Sequence, residues 1–212
     1  LTAGTAINPT TCGGANGSIA FTATNLPNGT YSLSFTATGA GATTSPQSIT
    51  VSANAFSLTG LKAGAYSAFS VTSAGCTGTV ATSKVLTDPA APTLTAGTAT
   101  NPTTCAGTNG SIAFTSTNLP NGTYSLTFTV TGAGATTSPQ NVTVSANAFS
   151  LSGLKAGTYS NFSVTSTGCT GTVATSKVIA DPAAPTLTAG TVTNPTTCGG
   201  TGSTAFTSTN LP

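Results

Sequence analysis

Few side chains in this 212-residue chain can do chemistry, and five of them are thiols: Cys12, Cys76, Cys105, Cys169 and Cys198. The interval from Cys12 to Cys76 equals that from Cys105 to Cys169, while Cys12, Cys105 and Cys198 recur every 93 residues. Thiols can ligate zinc, run redox exchange or close disulfides. Zinc and redox sites need companions, and the chain has no His, no Cys-x-x-Cys and only two isolated Asp. Structural disulfides remain, and the spacing pairs Cys12 with Cys76 and Cys105 with Cys169. Cys198 is then unpaired in this stretch, with its partner expected near position 262 of a longer protein. In the chain-entropy model, closing a loop as long as either pair encloses contributes about 4 kcal/mol. Disulfides also place the chain outside the reducing cytosol.

The other reactive groups are too sparse for catalysis. Lys62, Lys84, Lys155, Lys177, Asp88 and Asp181 are the only charged side chains. A serine hydrolase needs a base and a glycosidase needs paired carboxylates, so no enzyme is expected. Calcium needs several gathered oxygens, which one Asp per repeat cannot supply, so no metal or other cofactor is expected. A net charge of +2 gives no basic stripe for nucleic acid. No run of about 18 apolar residues is present to insert into a membrane. Sequons begin at Asn16, Asn28, Asn109, Asn121, Asn141 and Asn161, and a Thr-rich chain with Asn-Gly turns generates such triplets without glycosylation. Thr-x-Thr steps such as Thr36 and Thr38 read as the wet face of a sheet before they read as a sugar-binding ladder.

Larger elements must position these groups, and the first is a repeat. The string Leu-Thr-Ala-Gly-Thr begins at Leu1, Leu94 and Leu187, and the first two copies differ at 14 of 93 positions. The expected organisation is one module over 1–93, a second over 94–186 and the start of a third over 187–212. An active site is needed once per molecule, whereas length and display grow with copy number. Each complete module reads as strands. Tyr31, Leu33, Phe35 and Ala37 alternate with Ser32, Ser34, Thr36 and Thr38, which puts apolar groups on one face and hydroxyls on the other. Ile19, Phe21 and Ala23 precede them, joined through Asn25-Leu26-Pro27-Asn28-Gly29, whose Asn-Gly pair predicts a tight antiparallel hairpin.

A Gly/Ala/Thr loop from Gly39 to Pro46 leads to short strands around Ile49 with Val51 and Phe56 with Leu58. Tyr66, Phe69 and Val71 follow, their uneven spacing requiring a bulge or an outward Tyr. A last strand runs near Val80 to Leu86. About seven strands in 93 residues predict an all-β fold, a tandem array of immunoglobulin-like β-sandwich modules, each closed by its own disulfide. The linkers Asp88-Pro89-Ala90-Ala91-Pro92 and Asp181-Pro182-Ala183-Ala184-Pro185 hold two prolines in five residues, so they should be short and semi-rigid and the array rod-like.

The run Asn8-Pro9-Thr10-Thr11-Cys12-Gly13-Gly14-Ala15-Asn16-Gly17-Ser18-Ile19, then Leu61-Lys62-Ala63-Gly64-Ala65-Tyr66 and Gly75-Cys76, resembles the SprB-type repeat of giant cell-surface adhesins in Bacteroidota, the gliding-motility adhesin among them. Cys105 to Ser111 and Gly157 to Cys169 match equally well. The resemblance covers both modules and implies type IX secretion, an extracellular location and many copies in series. The expected role is a stalk displaying an adhesive tip for attachment or gliding. Its expected partners are neighbouring repeats of the same chain. The alternatives are repeats that bind surface glycans, or copies that bundle into a fibre.

Overall fold

The structure is a computed structural model and describes residues 1–39, 41–132 and 136–211; every regular element among them is a β-strand. The Gly/Ala/Thr loop expected from Gly39 to Pro46 lies partly outside the described residues. The chain divides into two compact units. Unit 1 holds residues 1–93 together with Thr117–Leu119 and Val164–Gly171, and unit 2 holds the remainder.

In unit 1 the first repeat forms β1 (Thr2–Ile7), β2 (Gly17–Thr22), β3 (Gly29–Thr38), β4 (Gln47–Val51), β5 (Ala55–Leu61), β6 (Gly64–Ser73), β7 (Cys76–Val80) and β8 (Lys84–Leu86). One sheet has the order β1-β2-β5, the other β4-β3-β6-β7, with β8 also pairing β6. This is a two-sheet, immunoglobulin-like sandwich. Alternation places Leu33 and Phe35 of β3 inward and Thr36 outward. They meet Ile19 and Phe21 of β2, Phe56 and Leu58 of β5, and Tyr66, Phe69 and Val71 of β6. Phe21 stacks on Phe56 at 4.8 Å between centroids and meets Phe69 edge-on at 4.9 Å, geometries that suit the ring quadrupoles.

Two local expectations are corrected. β2 and β3 do not form a hairpin, because β2 has both edges filled by β1 and β5 while β3 pairs β4 and β6. The intervening segment instead crosses between sheets, with Asn25 at φ 57° and Leu26 buried in the core. The tight turn lies at Ala53-Asn54, both at positive φ, between the bridged Ser52 and Ala55. The single last strand is two short ones, β7 and β8, both on β6.

Of the two options for Tyr66 and Phe69, the bulge is realised. Ala68 adopts φ 52°, the β3–β6 register shifts between Ser34 and Thr36, and both rings are buried. The Tyr66 hydroxyl donates to the Lys62 carbonyl at 2.7 Å and accepts from the Thr43 amide at 3.2 Å. That is the tyrosine corner of immunoglobulin-like sandwiches, a buried phenol pinning the turn before its own strand.

The second repeat forms β9 (Thr93–Thr100), β10 (Gly110–Thr117), β11 (Gly122–Thr131), β12 (Gln140–Val144), β13 (Ala148–Leu154), β14 (Gly157–Ser166), β15 (Cys169–Val173) and β16 (Lys177–Ile179). Its sheets repeat the first topology, β13-β10-β9 and β12-β11-β14-β15 with β16 on β14. Its ring contacts repeat too, with Phe114 stacked on Phe149 at 4.9 Å. Tyr159 donates to Lys155 at 2.8 Å. The third copy contributes the hairpin of β17 (Thr186–Thr193) and β18 (Ser203–Thr209) to unit 2. Its Phe206, counterpart of buried Phe21 and Phe114, is 62% exposed.

Candidate functional site: a disulfide and its groove

Cys12 stands in the loop between β1 and β2, which is held by short-range hydrogen bonds. The Asn16 carboxamide accepts from the Thr10 amide at 3.0 Å and donates to the Thr10 hydroxyl at 2.5 Å, and the Gly14 amide donates to the Thr11 carbonyl at 2.9 Å. The loop is fastened to the chain that leaves the sandwich. Asn8 accepts from the Thr87 amide at 3.0 Å, and the Asp88 carboxylate accepts from the Gly13 amide at 3.2 Å. The sequon at Asn16 is thus a brace for the cysteine loop. At Asn28, another sequon, the side chain accepts from the Ala53 amide at 3.0 Å.

Cys12 is not bonded to Cys76. It is bonded to Cys169, 157 residues away, with a Cα separation of 5.1 Å, within the usual span of a disulfide. Cys76, Cys105 and Cys198 are free and exposed. The expected pairs Cys12 with Cys76 and Cys105 with Cys169 both fail, the first for a geometric reason. β6 begins at Gly64, opposite Leu86, and ends at Ser73, opposite Cys76. The Cys12 loop is fastened beside Leu86, at Thr87 and Asp88. Cys12 and Cys76 are therefore separated by the length of β6, nine residue steps or about 30 Å at about 3.3 Å per residue. A disulfide cannot join Cα atoms more than about 7 Å apart. Cys105 does not take Cys169 either, since the Cys169 sulfur is already bonded to Cys12 and Cys105 is left free and exposed. The modules are not closed by disulfides of their own, and Tyr66 and Tyr159 with the aromatic core hold them shut instead.

Around the bond, unit 1 is closely fitted. The Cys12 amide donates to the Thr167 carbonyl at 2.8 Å. The Pro89 carbonyl oxygen lies 3.3 Å from the Cys169 sulfur and 3.6 Å from the Cys12 sulfur. Neither sulfur carries a hydrogen, so these are packing contacts of a polarisable pair. Pro92 is buried, and a Cβ on Gly171 would overlap its carbonyl. Asn118 donates to the Ala91 carbonyl at 3.1 Å, and the Thr93 and Thr117 hydroxyls bond at 2.5 Å. Linker residues Asp88, Pro89 and Pro92 are thus docked, whereas Asp181, Pro182 and Pro185 of the second linker are exposed.

Sequence reasoning found the cysteines and both linkers. The bracing roles of Asn8 and Asn16, the fit at Gly171 and the backbone bond of Thr167 were not legible, and the spacing matched the wrong thiols. A countable signal existed: strand direction alternates, so the start of the second strand and the end of the sixth lie at opposite ends of the sandwich. Among the described residues, no three His, Cys, Asp or Glu side chains gather as a metal site.

No protein-family model matches the sequence, and no curated protein matches it. Among solved structures the chain is similar to a chimeric titin Z1Z2 functionalized with a KLER exogenous peptide from decorin. The two are 15% identical, with 81% of this chain and 96% of that one covered and a TM-score of 0.26. At that score the likeness adds nothing to the sheet topology, which carries the fold by itself.

Proposed function

We propose that the chain is a non-enzymatic structural segment of a bacterial cell-surface adhesin, a stalk of tandem sandwich modules that displays an adhesive element. The observation that carries the reading is the Cys12–Cys169 bond, which ties one sequence repeat covalently to the next. Resistance to being pulled apart matters to a tether and not to catalysis. A structural disulfide supports an oxidising, extracellular setting. The SprB-type resemblance supports surface display through type IX secretion and a part in attachment or gliding. Near-identity of the copies supports repetition for length.

The test is binding by the purified 212-residue chain to a glycan array and to intact bacterial and host cells. The stalk reading expects no saturable binding, with or without EDTA, between about 0.05 and 0.5 M salt, a range over which the Debye length shortens several-fold. Saturable binding abolished by replacing exposed Thr36 and Thr38 would overturn it in favour of repeats that bind glycans themselves.

A further inference from the structure

Two half-sites in the chain match the two sides of the bond already made. On the first repeat, Leu1, Leu26, Val71, Cys76 and Gly78 line an open groove of about 440 Å³. On the second repeat, the counterparts that belong to unit 1 are Leu119, Val164, Cys169 and Gly171, all buried. Cys12 and Pro89 of the preceding repeat cover Cys169, and Pro92 covers Gly171. Exposed Cys76 corresponds to Cys169, which is only 2% exposed. A Cβ on Gly78 would meet nothing closer than Leu1 at 3.7 Å, whereas one on Gly171 would overlap Pro92.

The complementary half is repeated as well. The Cys105 loop is braced as the Cys12 loop is, with Asn109 accepting from the Thr103 amide at 3.1 Å and donating to its hydroxyl at 2.9 Å. The Cys105 sulfur lies 3.7 Å from the Pro182 carbonyl, as Cys12 lies 3.6 Å from Pro89. Pro182 and Pro185 are exposed, whereas Pro92 is buried.

From this we infer that the repeat encodes a disulfide ladder with an offset of one: the first cysteine of each copy bonds the second cysteine of the copy that follows it in the same polypeptide. The partner of the Cys105 loop with its Asp-Pro-Ala-Ala-Pro tail is the Gly-Cys-Thr-Gly groove of a further in-line copy, and the groove around Cys76 takes the same elements of a preceding copy. The in-line source is favoured because the tail that fills the groove in unit 1 is the segment running directly into the grooved repeat. Each rung forms by thiol–disulfide exchange with a small-molecule disulfide. The first cysteine's thiolate attacks RS–SR and releases RS⁻. The second cysteine's thiolate then attacks the mixed disulfide at the protein sulfur and releases a second RS⁻. Two protein thiols and one RS–SR thus give one protein disulfide and two RSH.

The ladder rests on the structural-repeat reading and is independent of any surface role, because its test reads thiols and not binding. The full chain is extended after Pro212 by a copy of residues 121–186, refolded with oxidised glutathione, and mapped by free-thiol titration and peptide mass spectrometry. The ladder expects three free thiols in the native chain and two in the extended one, with a new peptide linking Cys105 to the added copy of Cys169. A second variant replaces residues 187–212 by a copy of 94–186, so that the added module is a complete copy of the second repeat. A Cys105 link to the added copy of Cys169 in either variant supports the ladder. Its absence from both overturns it, as do a link from that cysteine to the first cysteine of its own copy or disulfide-bonded dimers through Cys76 and Cys105 of two chains.

Discussion

Pulling on the two ends of the chain should expose the offset bond as hidden length. The Cys12–Cys169 bond encloses a separation of 157 residues out of 212. With the bond intact, only the difference, 212 − 157 = 55, is left to extend. At about 3.4 Å per residue for an extended chain, that is about 190 Å. Reduction releases the rest, about 530 Å more at the same rise per residue, in the same molecule. Bonds from Cys12 to Cys76 and Cys105 to Cys169 would instead hide the two shorter spans 12–76 and 105–169, allowing about 290 Å before reduction on the same scale. The assay is single-molecule force spectroscopy with handles at both termini, with and without reductant, and with Cys169→Ser as the permanently open control. A full extension of about 700 Å under oxidising conditions, or an oxidised plateau of about 290 Å, would refute the pairing. A plateau of about 190 Å that lengthens only on reduction is the expected trace.

Five substitutions test the seating of the bond and the packing of the module. Gly171→Val, which drives a side chain into the Pro92 carbonyl, should raise the free-thiol count from three to five in a redox buffer, whereas Gly78→Val at the open counterpart should leave it at three; equal counts would mean the linker does not seat the bond. Phe35→Ala should cost about 3 to 5 kcal/mol by chemical denaturation and Thr36→Ala, on the solvent face, under about 1 kcal/mol, so equal losses would contradict the register of β3. Tyr66→Phe should cost about 1 kcal/mol by the same method, because it leaves the part-buried Lys62 carbonyl without this donor; a neutral result would remove the tyrosine corner from the list of what closes the module.

Periodic features were the legible ones. The repeat, the alternation of β3 and the inward Phe35 follow from rules that act within a few residues, whereas the spacing of Tyr66 and Phe69 left a bulge and an outward Tyr equally open. What was not legible depended on which strands become neighbours. Asn28-Gly29 carries a hairpin signal, but β2 finds better partners in β1 and β5, so the segment crosses between sheets and the tight turn forms at Ala53-Asn54, a dipeptide with weaker turn chemistry. Equal spacing of Cys12 to Cys76 and Cys105 to Cys169 looked like two closed modules because spacing along the chain carries no direction. Once β6 is laid between Cys12 and Cys76, that pair is split by a strand, and one further repeat period brings Cys12 to Cys169. Asn16 stood out only as a sequon and as part of the Asn8 to Ile19 run, and Gly171 gave no signal of its own, because each acts through what packs against it.

The bond also changes what a single cut can do. Any peptide bond between Cys12 and Cys169 can be hydrolysed and residues 1 and 212 still belong to one covalent molecule, because the sulfur path bypasses the nick. The exposed alanines of the first linker, Ala90 and Ala91, lie inside that protected span. Ala183 and Ala184 of the second linker lie outside it, so one scission there separates residue 1 from residue 212. A rung from Cys105 to the copy that follows would give the second joint the same bypass, so two joints of identical sequence differ in their tolerance of a nick only by whether a disulfide spans them.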